Sequence, residues 1–363
     1  MEIKISGFSK GFQRFIRDKK WLLKTENMQA RQSMYWDLLG GMRFFLAMIV
    51  AVSHLTWYVE GYRRVFIIEK LSGMVAVIGF LVISGYSIAA SYEQRPTGYY
   101  FRRVLRIVPL YWVSITISAL IPLLFGDHLL DPPGTIFKTP TIIEWMSNVV
   151  FLQGITSSYI NTNPIVWTLT IEVLLYLLTP LFARSKNVAL LAFFISALSY
   201  LYYPHTQLSY YSKLKFGLAT LFLGWAWLLG FLFYYYRSII FSKVALPVIG
   251  FLLIFCNGKW ITSYWMVTWA MTCIVILWGN TIPRLTFIAK VLKTLGDVSY
   301  PLYLIHIPGF LLFYNLGGKD AAIYYLLFVV FIALILDVYV DKPLKVYIRK
   351  VLANLSNLKP NDI

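Results

Sequence analysis

The sequence predicts an all-α integral membrane protein of about ten transmembrane helices, with both termini cytoplasmic. Three observations carry this reading. Of 363 residues, 59% are hydrophobic and only 13% charged, an apolar content well above the roughly 45–50% of soluble domains. Apolar runs near bilayer-crossing length recur at 38–58, 71–92, 107–125, 165–183, 187–203, 216–236, 244–257, 264–279, 298–315 and 322–340. The 33 lysines and arginines collect between the runs: 24 fall on the side of the N-terminus, eight on the opposite side, and Arg43 lies inside the first run. That three-to-one bias sets the orientation and accounts for the net charge of +17 without a nucleic-acid partner. The expected location is the cytoplasmic (inner) membrane, crossed many times.

Residues 1–36 carry eight basic side chains and no short apolar core with a cleavage site, so they read as a retained segment. Ile3, Phe8, Phe12, Phe15 and Ile16 recur there at near-helical spacing, which suits either a helix on anionic headgroups or a solvated tail. One membrane domain is expected over 37–342, followed by a basic cytoplasmic tail over 343–363. In the first run, Arg43 and His54 are eleven residues apart, which is about three helical turns and roughly 16 Å on one face. Ionisable groups at such depth point to a site, although Arg43 reaching for headgroups and His54 packing would give the same pattern.

The stretch 126–164 is broken by Asp127, Asp131-Pro132-Pro133-Gly134 and Pro140, then by the turn formers Ser157 to Pro164. Charge parity forbids a full crossing if Arg103 and Arg184 share a side, so it reads as an outer loop whose segment 142–155 dips into the membrane or lies on it. Cys256 and Cys273 sit in apolar runs without ligand spacing and read as packing residues. G-x-S-x-G, H-E-x-x-H, G-x-x-x-x-G-K and paired C-x-x-C signatures are absent.

Several stretches together resemble one family. Arg43 to His54 is similar to the R-x10-H signature of membrane-bound acyltransferase family 3, the O-acetyltransferases of cell-surface polysaccharides. Gly79 to Tyr86 resembles the F-x-x-S-G-[FY] segment, and Arg103 to Trp112 the R-x-x-R-I-x-P-x-Y-W segment. Val166 to Pro180 resembles W-S-L-x-x-E-x-x-F-Y-x-x-x-P, with Thr168 in place of the serine, and Leu295 to His306 resembles L-G-x-x-S-Y-x-x-Y-L-x-H. Gly40 and Phe44 depart from the Asp-Gly-Leu-Arg-Gly that often heads the first span. No SGNH-type domain follows the tenth span, so the resemblance is to the stand-alone form.

The resemblance implies transfer of an acyl group, acetyl or succinyl, from acyl-CoA to a hydroxyl of an extracytoplasmic glycan such as O-antigen lipopolysaccharide, capsule or a lipid-linked precursor. Such chemistry needs a base, a cradle for the donor's phosphates and donors for the developing oxyanion. His54 suits the base and Glu172 a partner that orients it or takes the proton. Arg102, Arg103 and Arg106, at the mouth of the third span, suit the phosphates of acetyl-CoA. The positive-inside rule alone also puts arginines there. Arg43 is expected at the pantetheine arm or thioester carbonyl, and Trp167, Tyr176 and His306 at the acceptor. No metal is called for. A transporter using Arg43, His54 and Glu172 to bind substrate or relay protons is the competing reading, but matching halves with interrupted helices are not evident.

Overall fold

The computed structural model describes residues 32–59, 67–130, 132, 137–205, 211–259, 262–318 and 321–356. The basic segment 1–31, Asp131, Pro133 and Gly134 of the stretch expected as an outer loop, and the end of the tail at 357–363 lie outside the described residues. Among the described residues the chain is helical, without strands. The helices are α1 (Gln32–Leu55), α2 (Gly73–Gln94), α3 (Tyr99–Phe125), α4 (Ile142–Val149), α5 (Trp167–Arg184), α6 (Lys186–Tyr202), α7 (Leu218–Tyr236), α8 (Ile240–Asn257), α9 (Trp265–Trp278), α10 (Thr286–Asn315), α11 (Ala322–Ile335) and α12 (Lys342–Ser356).

All ten apolar runs fold as helices, and among the described residues seven helices are long and apolar enough to cross a membrane. The apolar α6 and α9 are shorter. Although it has 30 residues, α10 is not among the seven, because Ser299, Tyr300, Pro301, Tyr303, His306 and Pro308 interrupt its apolar positions. Two helices begin well before their apolar runs. α3 starts at Tyr99, so Arg102, Arg103 and Arg106 ride on its first turns, and α10 starts at Thr286. Hydropathy detects only the stretch matched to hydrocarbon, whereas the backbone ladder continues into the polar zone.

Cross-contacts distinguish the two ends of the bundle. At the arginine-rich end, Gly40 of α1 meets Gly296 of α10 backbone to backbone, Tyr234 of α7 donates to Glu93 of α2, and Lys342 approaches Asp297 at 3.3 Å. At the other end, the Leu130 N–H donates to the Asn315 side chain at 2.7 Å, and the Gly217 N–H donates to the Gly154 carbonyl at 2.9 Å. Between the ends, α2 is the most enclosed span and packs most closely on α7. A Cβ at Gly85 would lie 1.9 Å from the Trp227 carbonyl oxygen, and one at Gly230 2.0 Å from that of Val82. Glycine here sets the distance between the two helices.

Prolines inside α3, α5 and α10 free carbonyls that side chains then satisfy. Pro308 leaves the Leu304 carbonyl free, and it accepts from Ser114 Oγ at 2.8 Å and Asn163 Nδ2 at 3.0 Å. Pro122 frees the Ser118 carbonyl for Thr162 Oγ1 at 2.5 Å, and Pro180 frees that of Tyr176 for the Tyr99 hydroxyl at 3.3 Å. These three missing rungs become ties between elements, the arrangement that makes proline tolerable in an apolar bundle.

The segment between α3 and α5 is held the same way. Tyr111 donates to the Asn148 carbonyl at 2.7 Å and receives from Gln153 Nε2 at 2.9 Å, while Trp112 Nε1 donates to the Val149 carbonyl at 3.0 Å. Within the 142–155 segment only Ile142–Val149 is helical, started by a capping box between Thr141 and Glu144. It exposes Ile142, Ile143 and Met146 and buries Asn148, the two-faced pattern of a surface helix. At the far end of the chain, the π-helix Leu336–Asp341 joins α11 to α12, and its buried Asp337 and Asp341 pair with Lys342 at 2.6 Å and Lys345 at 2.5 Å. Cys273 is buried and Cys256 exposed, both as free thiols.

Candidate active site

α1, α2, α3, α5 and α10 line a partly open cavity of about 100 Å³. Arg103 and Arg106, one turn apart on α3, flank the arginine-rich end. Arg43 enters from α1, Ser84 and Ser87 from α2, Glu172 and Tyr176 from α5, and Tyr300 and Tyr303 from α10.

The polar groups are tied in a definite order. Arg43 Nη2 donates to Ser87 Oγ at 2.6 Å, and Ser87 Oγ donates to the Ile83 carbonyl at 2.7 Å, which leaves its lone pairs for the guanidinium. Ser84 Oγ and the Tyr176 hydroxyl are 2.8 Å apart. Glu172, half-buried one turn from Tyr176, has Arg43 and Arg106 as charged neighbours and Ser84 and Tyr176 as polar ones. Arg103 donates to Ser91 Oγ at 3.1 Å and lies over the Tyr99 ring, while its buried Nε has no acceptor. Three arginines against one carboxylate give this low-dielectric space a net positive field, suited to an anionic ligand.

At the other end, Tyr303 and Thr168 close on each other, hydroxyl to hydroxyl at 2.7 Å, beside Phe80, whose ring meets that of Tyr303 at 5.6 Å. One turn farther along α10 comes His306, fully buried, with Nε2 3.2 Å from Nδ1 of His54. The two imidazoles stack with centroids 5.3 Å apart, and Trp57 meets the His54 ring edge-on at 4.9 Å. Neither histidine lines the cavity.

The residues singled out in the sequence therefore divide into groups. Arg43, Arg103, Arg106, Glu172 and Tyr176 gather round the cavity; His54 and His306 pair beyond it. Arg102 turns away and donates to the carbonyls of Thr97, at 2.5 Å, and Arg95 in the α2–α3 turn. Trp167 stacks on Tyr211 with centroids 6.1 Å apart, outside the cavity lining. His128 is exposed, and the side chain of His205 is outside the description. Among the described residues no cluster of three His, Cys, Asp or Glu could hold a metal.

Sequence reasoning passed over Ser87 and gave no role to Tyr300 and Tyr303, although both tyrosines fall in the quoted stretch from Leu295 to His306. A signal existed: Ser84 with Ser87, and Tyr300 with Tyr303, are polar residues at i, i+3 on otherwise apolar helices, hence on one face.

Fold and site define a multi-pass helical membrane protein with a cation-lined internal cavity. The sequence model of the acyltransferase domain, acyltransferase family 3, matches residues 36–340, nearly all of α1 through the π-helix. The chain belongs to that family and is a membrane acyltransferase. No curated protein and no solved structure matches it.

Proposed function

We propose that the protein transfers an acetyl group from cytoplasmic acetyl-CoA to a hydroxyl of an extracytoplasmic glycan, O-antigen, capsule or another surface polysaccharide, at the inner membrane. The observation that carries this reading is the convergence of Arg43, Arg103 and Arg106 on one cavity with a single carboxylate, Glu172. Coenzyme A brings several phosphate charges, and guanidinium groups bind phosphate through paired N–H donors. The buried Nε of Arg103 gives such an anion a further donor.

In this reading the phosphates rest at Arg103 and Arg106 and the pantetheine arm runs toward Arg43. The thioester reaches the Tyr303–Thr168 pair, one helical turn short of His306 and His54. The acceptor hydroxyl comes from the opposite end. His54 takes its proton as the oxygen attacks the thioester carbonyl; the C–O bond forms, the C–S bond breaks, and the departing sulfur recovers the proton. Arg43 or the hydroxyls of Tyr303 and Thr168 offer donors to the developing oxyanion. Glu172 lies near Arg43 and Arg106 and offsets part of their charge.

The test is reconstitution. Purified protein in lipid nanodiscs, given labelled acetyl-CoA and deacetylated surface glycan, should yield labelled glycan and free coenzyme A in equal amounts. Mass spectrometry of surface glycans from cells with and without the gene should show the same acetyl difference. Coenzyme A release without glycan labelling, or glycans identical in both strains, would reject the assignment.

A further inference from the structure

The proton arrangement of the histidine pair can be read from its acceptors. His306 Nδ1 lies 2.9 Å from the Tyr303 carbonyl oxygen and 3.3 Å from that of Leu302. Carbonyl oxygens only accept, so this nitrogen carries a hydrogen. His306 is completely buried, and among the described residues no carboxylate contacts its ring; its ring neighbours are Tyr303, Phe310 and His54. A buried cation without a counter-charge is costly, so the ring is neutral and its Nε2 is a lone pair. That lone pair faces His54 Nδ1 at 3.2 Å, and two lone pairs cannot satisfy each other. His54 Nδ1 therefore donates. His54 too has no carboxylate among its ring contacts, which are His306 and Trp57 among the described residues, so its ring is also neutral and its Nε2 is left without a hydrogen.

We infer that His306 is a positioning residue: it holds His54 as the Nδ1–H tautomer and so keeps the Nε2 lone pair of His54 available to a substrate proton. This rests on the acyl-transfer reading, in which His54 is the base. During transfer the hydroxyl proton passes to His54 Nε2 as the C–O bond forms, and it leaves with the coenzyme A sulfur as the C–S bond breaks. His306 neither gains nor loses a proton. Its Nε2 accepts throughout from His54 Nδ1–H, a bond that strengthens while His54 is cationic. The backbone around His306 is fixed by the proline effect described above, because Ser114 and Asn163 clamp the Leu304 carbonyl that Pro308 leaves free. Tautomer control by the partner of the other ring nitrogen is a general property of imidazole.

The chain has four histidines, so ¹⁵N-histidine labelling gives few ring signals. In nanodiscs near neutral pH, the ¹⁵N shifts of both His54 and His306 should report a protonated Nδ1 and an unprotonated Nε2; His54 found as the Nε2–H tautomer would overturn the inference whatever the activity. Two variants supply the kinetic arm. His306→Leu removes the acceptor and should lower kcat about a hundredfold, the lower end of what a positioned base contributes, with the KM for acetyl-CoA unchanged. His306→Gln carries a carbonyl oxygen near the place of Nε2 and should recover most of that loss. Equal activity of the Leu and Gln variants, or a loss confined to KM, would contradict a positioning role. Near-parent turnover of His54→Ala would instead overturn the base assignment, leaving the measured tautomer as a separate fact.

Discussion

Arg43 of α1 donates to Ser87 of α2 at 2.6 Å, and Ser87 can receive it because its own hydrogen goes to the Ile83 carbonyl. The serine thus aims a guanidinium carried by another helix into the cavity. Ser87→Ala should release Arg43 without changing the backbone of α2. A charge-assisted bond is worth about 1.5–3 kcal/mol, so kcat/KM for acetyl-CoA should fall roughly ten- to a hundredfold. Steady-state kinetics on the purified variant check this, and an effect below about threefold would mean that Arg43 keeps its place without the serine.

The three arginines of α3 should behave differently from one another. Arg103 and Arg106 line the cavity, whereas Arg102 is engaged with the carbonyls of Thr97 and Arg95. Arg103→Ala combined with Arg106→Ala should raise the KM for acetyl-CoA at least tenfold and leave that for the glycan nearly unchanged. Arg102→Ala should leave donor KM within about twofold, acting through the α2–α3 turn as a thermal-stability loss of about 1 kcal/mol. Equal donor effects from all three would reduce the arginines to membrane-orientation charges.

The close approach of α2 and α7 predicts a steep packing penalty. A methyl group at Gly85 or Gly230 would meet backbone carbonyls at about 2 Å, and backbone cannot rotate out of the way. Gly224→Ala on the same α7 is the control, because its methyl would meet Ser196 Oγ at 3.4 Å, which is close to ordinary contact. Gly85→Ala and Gly230→Ala should lower the melting temperature in detergent sharply or prevent accumulation of folded protein; Gly224→Ala should cost under about 1 kcal/mol. Indistinguishable melting curves for the three would contradict the described packing.

Arg43, His54 and Glu172 stand out in the sequence because an ionisable group in an apolar run has few cheap explanations. The ten helical runs were legible for a related reason, since hydropathy senses the bilayer directly. Rotation of each helix about its axis was not legible. Arg102 and Arg103 are neighbours in sequence, yet about 100° apart around α3, so one caps a turn while the other lines the cavity. The same ambiguity hid Ser87 and the role of Tyr300 and Tyr303 at the cavity, because hydroxyls and rings are common in a chain that is 18% aromatic. The spacing in the sequence puts Arg43 and His54 on one helix face. The fold puts Arg43 on the cavity lining and His54 outside it, paired with His306 across 252 residues of sequence, which local patterns cannot express.

Orientation is tested by reporters. With both termini on the cytoplasmic side, a fusion after Ile363 should be active only inside, and an insertion between Lys138 and Pro140, before α4, only outside. The opposite pattern would put the Arg103–Arg106 end of the cavity away from the cytoplasmic pool of acetyl-CoA.

The central claim is that donor binding and proton removal are housed separately, the first around Arg43, Arg103 and Arg106 and the second at His54. Measuring coenzyme A affinity and single-turnover acetyl transfer on the same preparation of His54→Ala tests it most directly. The account predicts a Kd within about threefold of the parent and a transfer rate lower by about 10²–10⁴, the contribution of a positioned base. Transfer at near-parent rate, or coenzyme A binding lost together with transfer, would contradict it.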